Sequence, residues 1–334
     1  MTGTADTASG QRPAQNVAVR TYLDPVWKIK VEVRPVEAFL LTTPEMRRLH
    51  FIAHAGASRI VTQQTYTRLE HSLGVFALTA SWYPDEAALR VAALVHDIGH
   101  LPFSHTAEGL AGLDHHRIGL AALRRLSPEL TRYGLRHEEI AELLSADAGT
   151  ALVAPSGTLS IDHLDSYVRS ACCEGRMPIE PKSLLDELEP RPDGVSSSSR
   201  AAAILVDLIC EEARLHTSWS NIAPASVLRD CVNTLLHAGC AAGELAALTD
   251  DGLWALLERT PATATVARRL REQPQLLTMR AVAADDPRRS YGLRRIYRSA
   301  PLLDGRTLAE AAPDLAARLT ALDALPRDYH VSWS

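Results

Sequence analysis

The chain has 334 residues, 46% of them hydrophobic, and a formal net charge of -5 at neutral pH. That is enough apolar material to bury a sizeable core in one large or two modest domains, and the acidic balance excludes a protein whose main task is to coat nucleic acid. Five cysteines without a CxxC pair exclude a disulfide framework and a thiolate zinc site, and no apolar run is long enough to span a bilayer. A cytoplasmic protein is expected, with neither membrane nor nucleic acid as partner.

Residues 1–19 are polar and predict a disordered N-terminal arm with no signal peptide. Trp27, Ile29, Val31 and Val33 then alternate with Lys28, Lys30, Glu32 and Arg34, a period of two that predicts a half-buried strand. A small strand pair is expected near residues 26–34 and 58–66. From about residue 43 the pattern turns helical, rich in Ala, Leu, Arg and Glu, so the bulk is predicted to be all-α. The stretch EPRPDGVSSSSR, residues 189–200, combines Pro, Gly and a serine run. It predicts a flexible loop between a core of residues 20–188 and a helical C-terminal lobe of residues 201–334. No repeat or long heptad run is present.

Within these helices the titratable residues are unusually placed. In TRLEHSLGVFALTASW, His71 shares a face with Val75, Leu78 and Trp82, and Arg68 projects to the same side three residues earlier. A guanidinium there suits a phosphate beside the imidazole. In DEAALRVAALVHDIGH almost no polar face remains, so the helix is predicted to be buried, with Gly99 and Pro102 ending it. His96 and Asp97 thus lie at its C-terminal end, where the helix dipole disfavours a carboxylate. Asp97 needs a cation, and a metal ion held by imidazole and carboxylate meets that need. In SIDHLDSYVR, Asp162, Asp165 and Arg169 share one face, and Asp162 is the candidate fourth ligand.

Each feature alone has a plainer reading. A single histidine among hydrophobes is usually a satisfied core residue, and Asp165 with Arg169 is an ordinary i,i+4 ion pair. An arginine-rich helix at DPRRSYGLRRIYR, residues 286–298, reads as a solvated face or a subunit contact, or else as phosphate clamps. Density decides for a site: five of the 13 histidines, His96, His100, His105, His115 and His116, fall within residues 96–116. A structural account would have to explain all of them together.

The motifs also resemble a known family. DPV at 24–26, TPEMRRL at 43–49, TRLEHSLGV at 67–75, HDIGHLPFSH at 96–105, His116 with Gly119, and DHLD followed by Arg169 occur in series over about residues 20–175. The set is similar to the HD superfamily of metal-dependent phosphohydrolases, and within it to the deoxynucleoside triphosphate triphosphohydrolase branch. The resemblance implies an HD-domain helical fold with a small β-hairpin near the N-terminus, and one divalent metal ion, Mn, Mg, Fe or Zn, on His71, His96, Asp97 and Asp162. It implies catalytic roles for His100, His105, Glu108 and His116, where Glu108 replaces the branch's usual aspartate. It implies substrate-binding roles for Arg68, His163, Asp165 and Arg169, a nucleotide or other small phosphoester substrate, and homo-oligomerisation. The chain departs from the branch at His163, Ser166 and Ser170, where basic, Tyr and Asp residues hold the sugar, and at His54-Ala55, where a glutamine is used near the base. In LHTSWSNIAPASVLRD only Arg229 is left of the branch's second-lobe basic residues. A nucleotide monophosphatase releasing orthophosphate and a nucleotide-sensing protein without turnover are the alternatives.

Overall fold

In the computed structural model, residues 21–145 and 149–334 are described; the expected arm at 1–19 lies outside them. The architecture is helical, with three small sheets. Helix α1 (Arg68–Trp82) starts at Thr67, whose hydroxyl accepts the Glu70 N–H while Glu70 accepts the Thr67 N–H, a reciprocal cap. Helix α2 (Ala87–Val95) is buried from Leu89 onward, as its apolar sequence predicts. Helix α3 (His115–Arg125) is capped by Asp114, which accepts the Arg117 N–H. Ser160 caps α4 (Ile161–Cys173) in the same way through the His163 N–H. The longest helices are α5 (Ser199–His216) and α6 (Trp219–His237), and α7 (Asp250–Arg259) follows.

Apolar side chains gather in two clusters. The larger joins α1, α2, α4 and α5; the smaller is built by α6, α7 and the segment carrying Leu101, Phe103, Ala107 and Leu113. Because α5 packs its leucines into the first cluster, the division of the core does not fall at residue 200. Ile98 belongs to one cluster and Leu101 to the other, so the histidine-rich segment 96–116 runs across the seam.

The strands depart from expectation in three places. Strand β2 (Lys30–Glu32) pairs with β1 (Thr21–Leu23), not with residues 58–66. Residues 56–60 form a 3-10 turn instead, entered through Gly56 at φ 59°, a left-handed conformation that a glycine adopts without strain. Residues 189–200 are not a loop: β3 (Leu188–Arg191) and β4 (Gly194–Ser197) form an antiparallel hairpin around Pro192 and Asp193. The Pro-Asp-Gly turn that marked a loop is the turn of a hairpin. Its serines are buried because β4 also pairs with β7 (Leu302–Leu303). Residues 286–298 are not helical either; they contain β6 (Tyr291–Gly292), which with β5 (Leu277–Ala281) flanks β8 (Asp328–Trp333). No helix among the described residues is long and apolar enough to cross a membrane.

Candidate metal centre and catalytic pocket

Three helix ends deliver the candidate ligands: the first turn of α1 carries His71, the residues just after α2 carry His96 and Asp97, and the first turn of α4 carries Asp162. His71 Nε2 lies 3.0 Å from Asp162 Oδ1, 3.3 Å from His96 Nε2 and 3.8 Å from Asp97 Oδ2. His96 Nε2 lies 3.4 Å from Asp97 Oδ1 and 3.7 Å from Asp162 Oδ1. Two atoms each about 2.1 Å from a common ion, at roughly 90–130° to each other, are separated by roughly 3.0–3.8 Å. The spacing therefore suits one ion.

The outer nitrogens of both imidazoles are already committed. His71 Nδ1 donates to Asp165 Oδ2 at 2.8 Å, and His96 Nδ1 donates to the Ala93 carbonyl at 2.8 Å. Both Nε2 atoms are thus turned toward each other and toward two carboxylates, an arrangement that is repulsive unless positive charge sits among them. A proton supplies it when no metal is bound: burial would lower the His71 pKa, but Asp162 and Asp165 outweigh burial and push it up to about 9. Two imidazoles with two carboxylates form a donor set suited to a divalent transition ion, so the residues fit the implied metal.

Behind His71 a buried chain of contacts fixes the ring. Asp165, fully buried, also accepts Trp27 Nε1–H at 2.7 Å and is gripped by Arg169 through Nε and Nη2, both at 2.9 Å. Arg169 Nη2 reaches on to Asp24 at 2.9 Å, and Asp24 accepts the Val26 and Trp27 N–H groups. Burial alone would raise the Asp165 carboxyl, yet Arg169 and His71 hold it at about 2. Asp165 and Arg169, expected to touch substrate, are instead buried and orient a ligand. Gly74 is required here, because a Cβ would lie 2.0 Å from Arg169 Nη2 and 2.1 Å from Asp165 Oδ1.

Arg68 lies at the site as expected, but the cation that Asp97 needed is Arg68 itself. Its Nη1 donates to Asp97 Oδ2 at 2.8 Å, its Nε to Ser104 Oγ at 2.8 Å and its Nη2 to the His54 carbonyl at 3.2 Å. The other Asp97 oxygen is 2.9 Å from His100 Nε2. Burial opposes ionisation of Asp97, and His100, His96 and Arg68 together hold it well below the usual carboxylate range.

Beyond Asp97 stands a second group, His100, His105 and His115. His115 Nδ1 lies 2.9 Å from Glu108 Oε2, and its ring stacks on His100 with centroids 4.3 Å apart and planes 19° apart. Nearly parallel rings stacked face to face cannot both aim an in-plane lone pair at one ion, so this group suits proton and phosphate contacts better than a second metal. His105 stands edge-on to both rings and is exposed. Burial, with Arg68 nearby, keeps His100 well below the usual imidazole range, hence neutral at pH 7. His116, the residue expected here, is exposed and one position past the first residue of α3; the Asp114 cap starts the helix at His115 and turns that side chain inward. His163 is half-buried beside Asp162, 5.6 Å from the Tyr297 ring. Ser170 is buried and donates to Glu212 at 2.7 Å, away from any sugar role.

The segment bearing these histidines is strained. Phe103 and Ser104 have φ of 52° and 54°, left-handed values that cost L-residues roughly 1–2 kcal/mol each. Asp250, at the start of α7, accepts the Phe103 N–H at 2.6 Å and the Ala53 N–H at 2.8 Å and so ties two site segments together. The sequence reading named Asp24, Trp27 and His115 only as parts of a motif, a strand and a histidine cluster, without these roles, and it missed Asp250 altogether. Only the two adjacent histidines behind an Asp cap signalled His115, and the other three are joined to the site by long-range contacts.

Residues 68–167 match the family model for the HD domain. The chain carries an HD domain. Among known proteins it is 25% identical over 256 residues to the metal-dependent phosphohydrolase cns2 of Cordyceps militaris, covering 71% of this chain and 72% of that one. It is 29% identical over 140 residues to the protein MJ1154 of Methanocaldococcus jannaschii, covering 40% of this chain and 30% of the relative. It is 30% identical over 106 residues to the deoxynucleoside triphosphate triphosphohydrolase SAMHD1 of Xenopus laevis, covering 27% of this chain and 17% of that one. The HD domain thus contains all four candidate ligands and the second histidine group, while Asp24, Trp27 and Asp250 lie outside its matched span.

Proposed function

We propose that the protein is a metal-dependent phosphohydrolase acting on nucleotides, by a reaction of the (deoxy)nucleoside triphosphate triphosphohydrolase kind. The observation that carries this reading is the cluster of His71, His96 and Asp97, whose ligand atoms lie within 4.8 Å of one another, with Asp162 3.0 Å from His71 Nε2 and with His100, His105 and His115 ranged beside it. A divalent ion, when bound, supplies Lewis acidity toward phosphoryl oxygens and a more acidic water. The exposed His105 offers an N–H group to phosphate oxygens, whereas neutral His100 spends its own N–H on Asp97 and supports the group by stacking on His115. His115, whose Nδ1 lies 2.9 Å from Glu108 Oε2, is the general acid in this reading, a role typically worth ~10²–10⁴-fold. Both names, phosphohydrolase and triphosphohydrolase, are carried by relatives and come to this chain as part of the proposal. A cytoplasmic homo-oligomer loaded with manganese belongs to the same reading.

The test is turnover by the full chain, stripped and reloaded with Mn²⁺, on ribo- and deoxynucleoside mono- and triphosphates, with products resolved by phosphorus NMR. Tripolyphosphate supports the proposal. Orthophosphate from monophosphates makes the protein a nucleotidase, and tight binding without turnover makes it a sensor.

A further inference from the structure

The left-handed turn at Phe103 and Ser104 lies within the HD domain, but the group that holds it does not. Two adjacent L-residues keep such a backbone only where surrounding contacts enforce it. Asp250, buried at the start of α7, enforces it: Oδ1 accepts the Phe103 N–H at 2.6 Å, and Oδ2 accepts the Ala53 N–H at 2.8 Å. One carboxylate thus fixes the spacing of two backbone segments. They approach closely, since a Cβ on Gly56 would lie 2.8 Å from the Phe103 carbonyl. Arg48 adds a second tie, its Nη1 donating to the Leu248 carbonyl just ahead of α7 at 2.8 Å and its Nη2 to the His100 carbonyl.

The two segments that Asp250 spaces then meet at Arg68. The Ser104 hydroxyl donates to the Ala53 carbonyl at 2.5 Å, which leaves its oxygen free to accept the Arg68 Nε–H at 2.8 Å. The next carbonyl, of His54, accepts from Arg68 Nη2 at 3.2 Å. With two edges of the planar guanidinium so fixed, the third nitrogen, Nη1, is aimed at Asp97 Oδ2. Each link is a directional hydrogen bond among buried or half-buried groups, so a change in the spacing of Ala53 and Ser104 moves the guanidinium. We propose that Asp250 is a positioning residue for Asp97: acting through Ala53, Ser104 and Arg68, it holds the guanidinium on that carboxylate from outside the matched HD residues. Its effect on a metal ion rests on the reading of the site given above; its effect on Arg68 does not.

The test reads these two effects separately, and neither needs turnover. The Arg68 Nε–H signal, assigned by its loss in Arg68→Lys, is followed by proton–nitrogen NMR in the EDTA-stripped full chain, and Mn²⁺ affinity is measured by titration. The chains compared are the wild type, Asp250→Asn, Ser104→Ala, the double variant and Leu253→Val. Asparagine keeps the size of Asp250 but accepts through one oxygen only, so its amide group faces one of the two N–H donors. Leu253, buried in the same helix, is a control for lost packing alone. In Asp250→Asn the Arg68 Nε–H should lose its protection from exchange with water, and Mn²⁺ affinity should fall about 10–100-fold, while Leu253→Val behaves as the wild type in both. Because Asp250 and Ser104 act in series, the double variant should bind Mn²⁺ no more weakly than the weaker single variant. An unchanged Arg68 signal or Mn²⁺ affinity in Asp250→Asn, additive losses in the double variant, or an equal effect of Leu253→Val would overturn the positioning role. If the Arg68 signal responds as expected but the wild type itself binds no Mn²⁺, the hold on Asp97 stands and the metal reading falls.

Discussion

Asp165 is fully buried, yet it sets the direction of His71, because one carboxylate receives Trp27, His71 and Arg169 together. Replacing it by asparagine removes the charge that fixes the imidazole tautomer and leaves Arg169 short of a partner. Metal affinity, measured by Mn²⁺ titration, should fall about 10–100-fold. The sequence placed Asp165 and Arg169 on one helix face but could not show which way that face turned, since Trp27 and Asp24 arrive from 138 and 145 residues away. The two adjacent histidines are separated by their positions in the helix: His115→Ala should lower kcat by about 10²–10⁴-fold, whereas His116→Ala should leave it nearly unchanged. Asp250 gives a pH signature. Burial pushes its carboxyl up to about 6 against the two backbone N–H groups it accepts. The folded state then binds more protons than the unfolded chain, whose carboxyl titrates near ~3.9, so this residue's contribution to stability falls as pH rises from about 4 to 6. Urea denaturation should show the wild type losing stability relative to Asp250→Asn across that window, with parallel curves contradicting the assignment.

At the scale of elements, the site depends on how closely the end of α2 approaches the start of α3. A Cβ on Gly99 would lie 2.1 Å from the His115 carbonyl and 2.3 Å from the Gly119 N. Gly99→Ala should therefore push the two segments apart, at a cost of about 1–3 kcal/mol by thermal melting, and displace His115 from Glu108. Helices α1, α2 and α4 were legible because each carries an apolar period, joined in α2 to the Gly99-Pro102 stop; the Thr67 and Ser160 caps emerged only in the structure. The strand elements were less so. A serine-rich stretch becomes the buried strand of a hairpin only through its pairing with β7, more than 100 residues later, and an arginine run becomes β6 only because β8 is there to pair with it. Neither partner leaves a local mark.

Across the whole molecule, the histidine-rich segment lies between two apolar clusters and is held from both: by Arg68 and Asp97 on the side of α1, and by Asp250 and Arg229 on the side of α6 and α7. An ion held there binds only the folded chain, so at a concentration a hundredfold above its Kd it should stabilise the protein by about 2.7 kcal/mol. The measurement that bears most directly on the central claim is the metal content of the EDTA-stripped full chain after equilibrium with Mn²⁺, for the wild type, His96→Ala and Asp162→Ala. One ion per wild-type chain and none in either variant is the predicted result; an unchanged stoichiometry in either variant would contradict the metal centre described here.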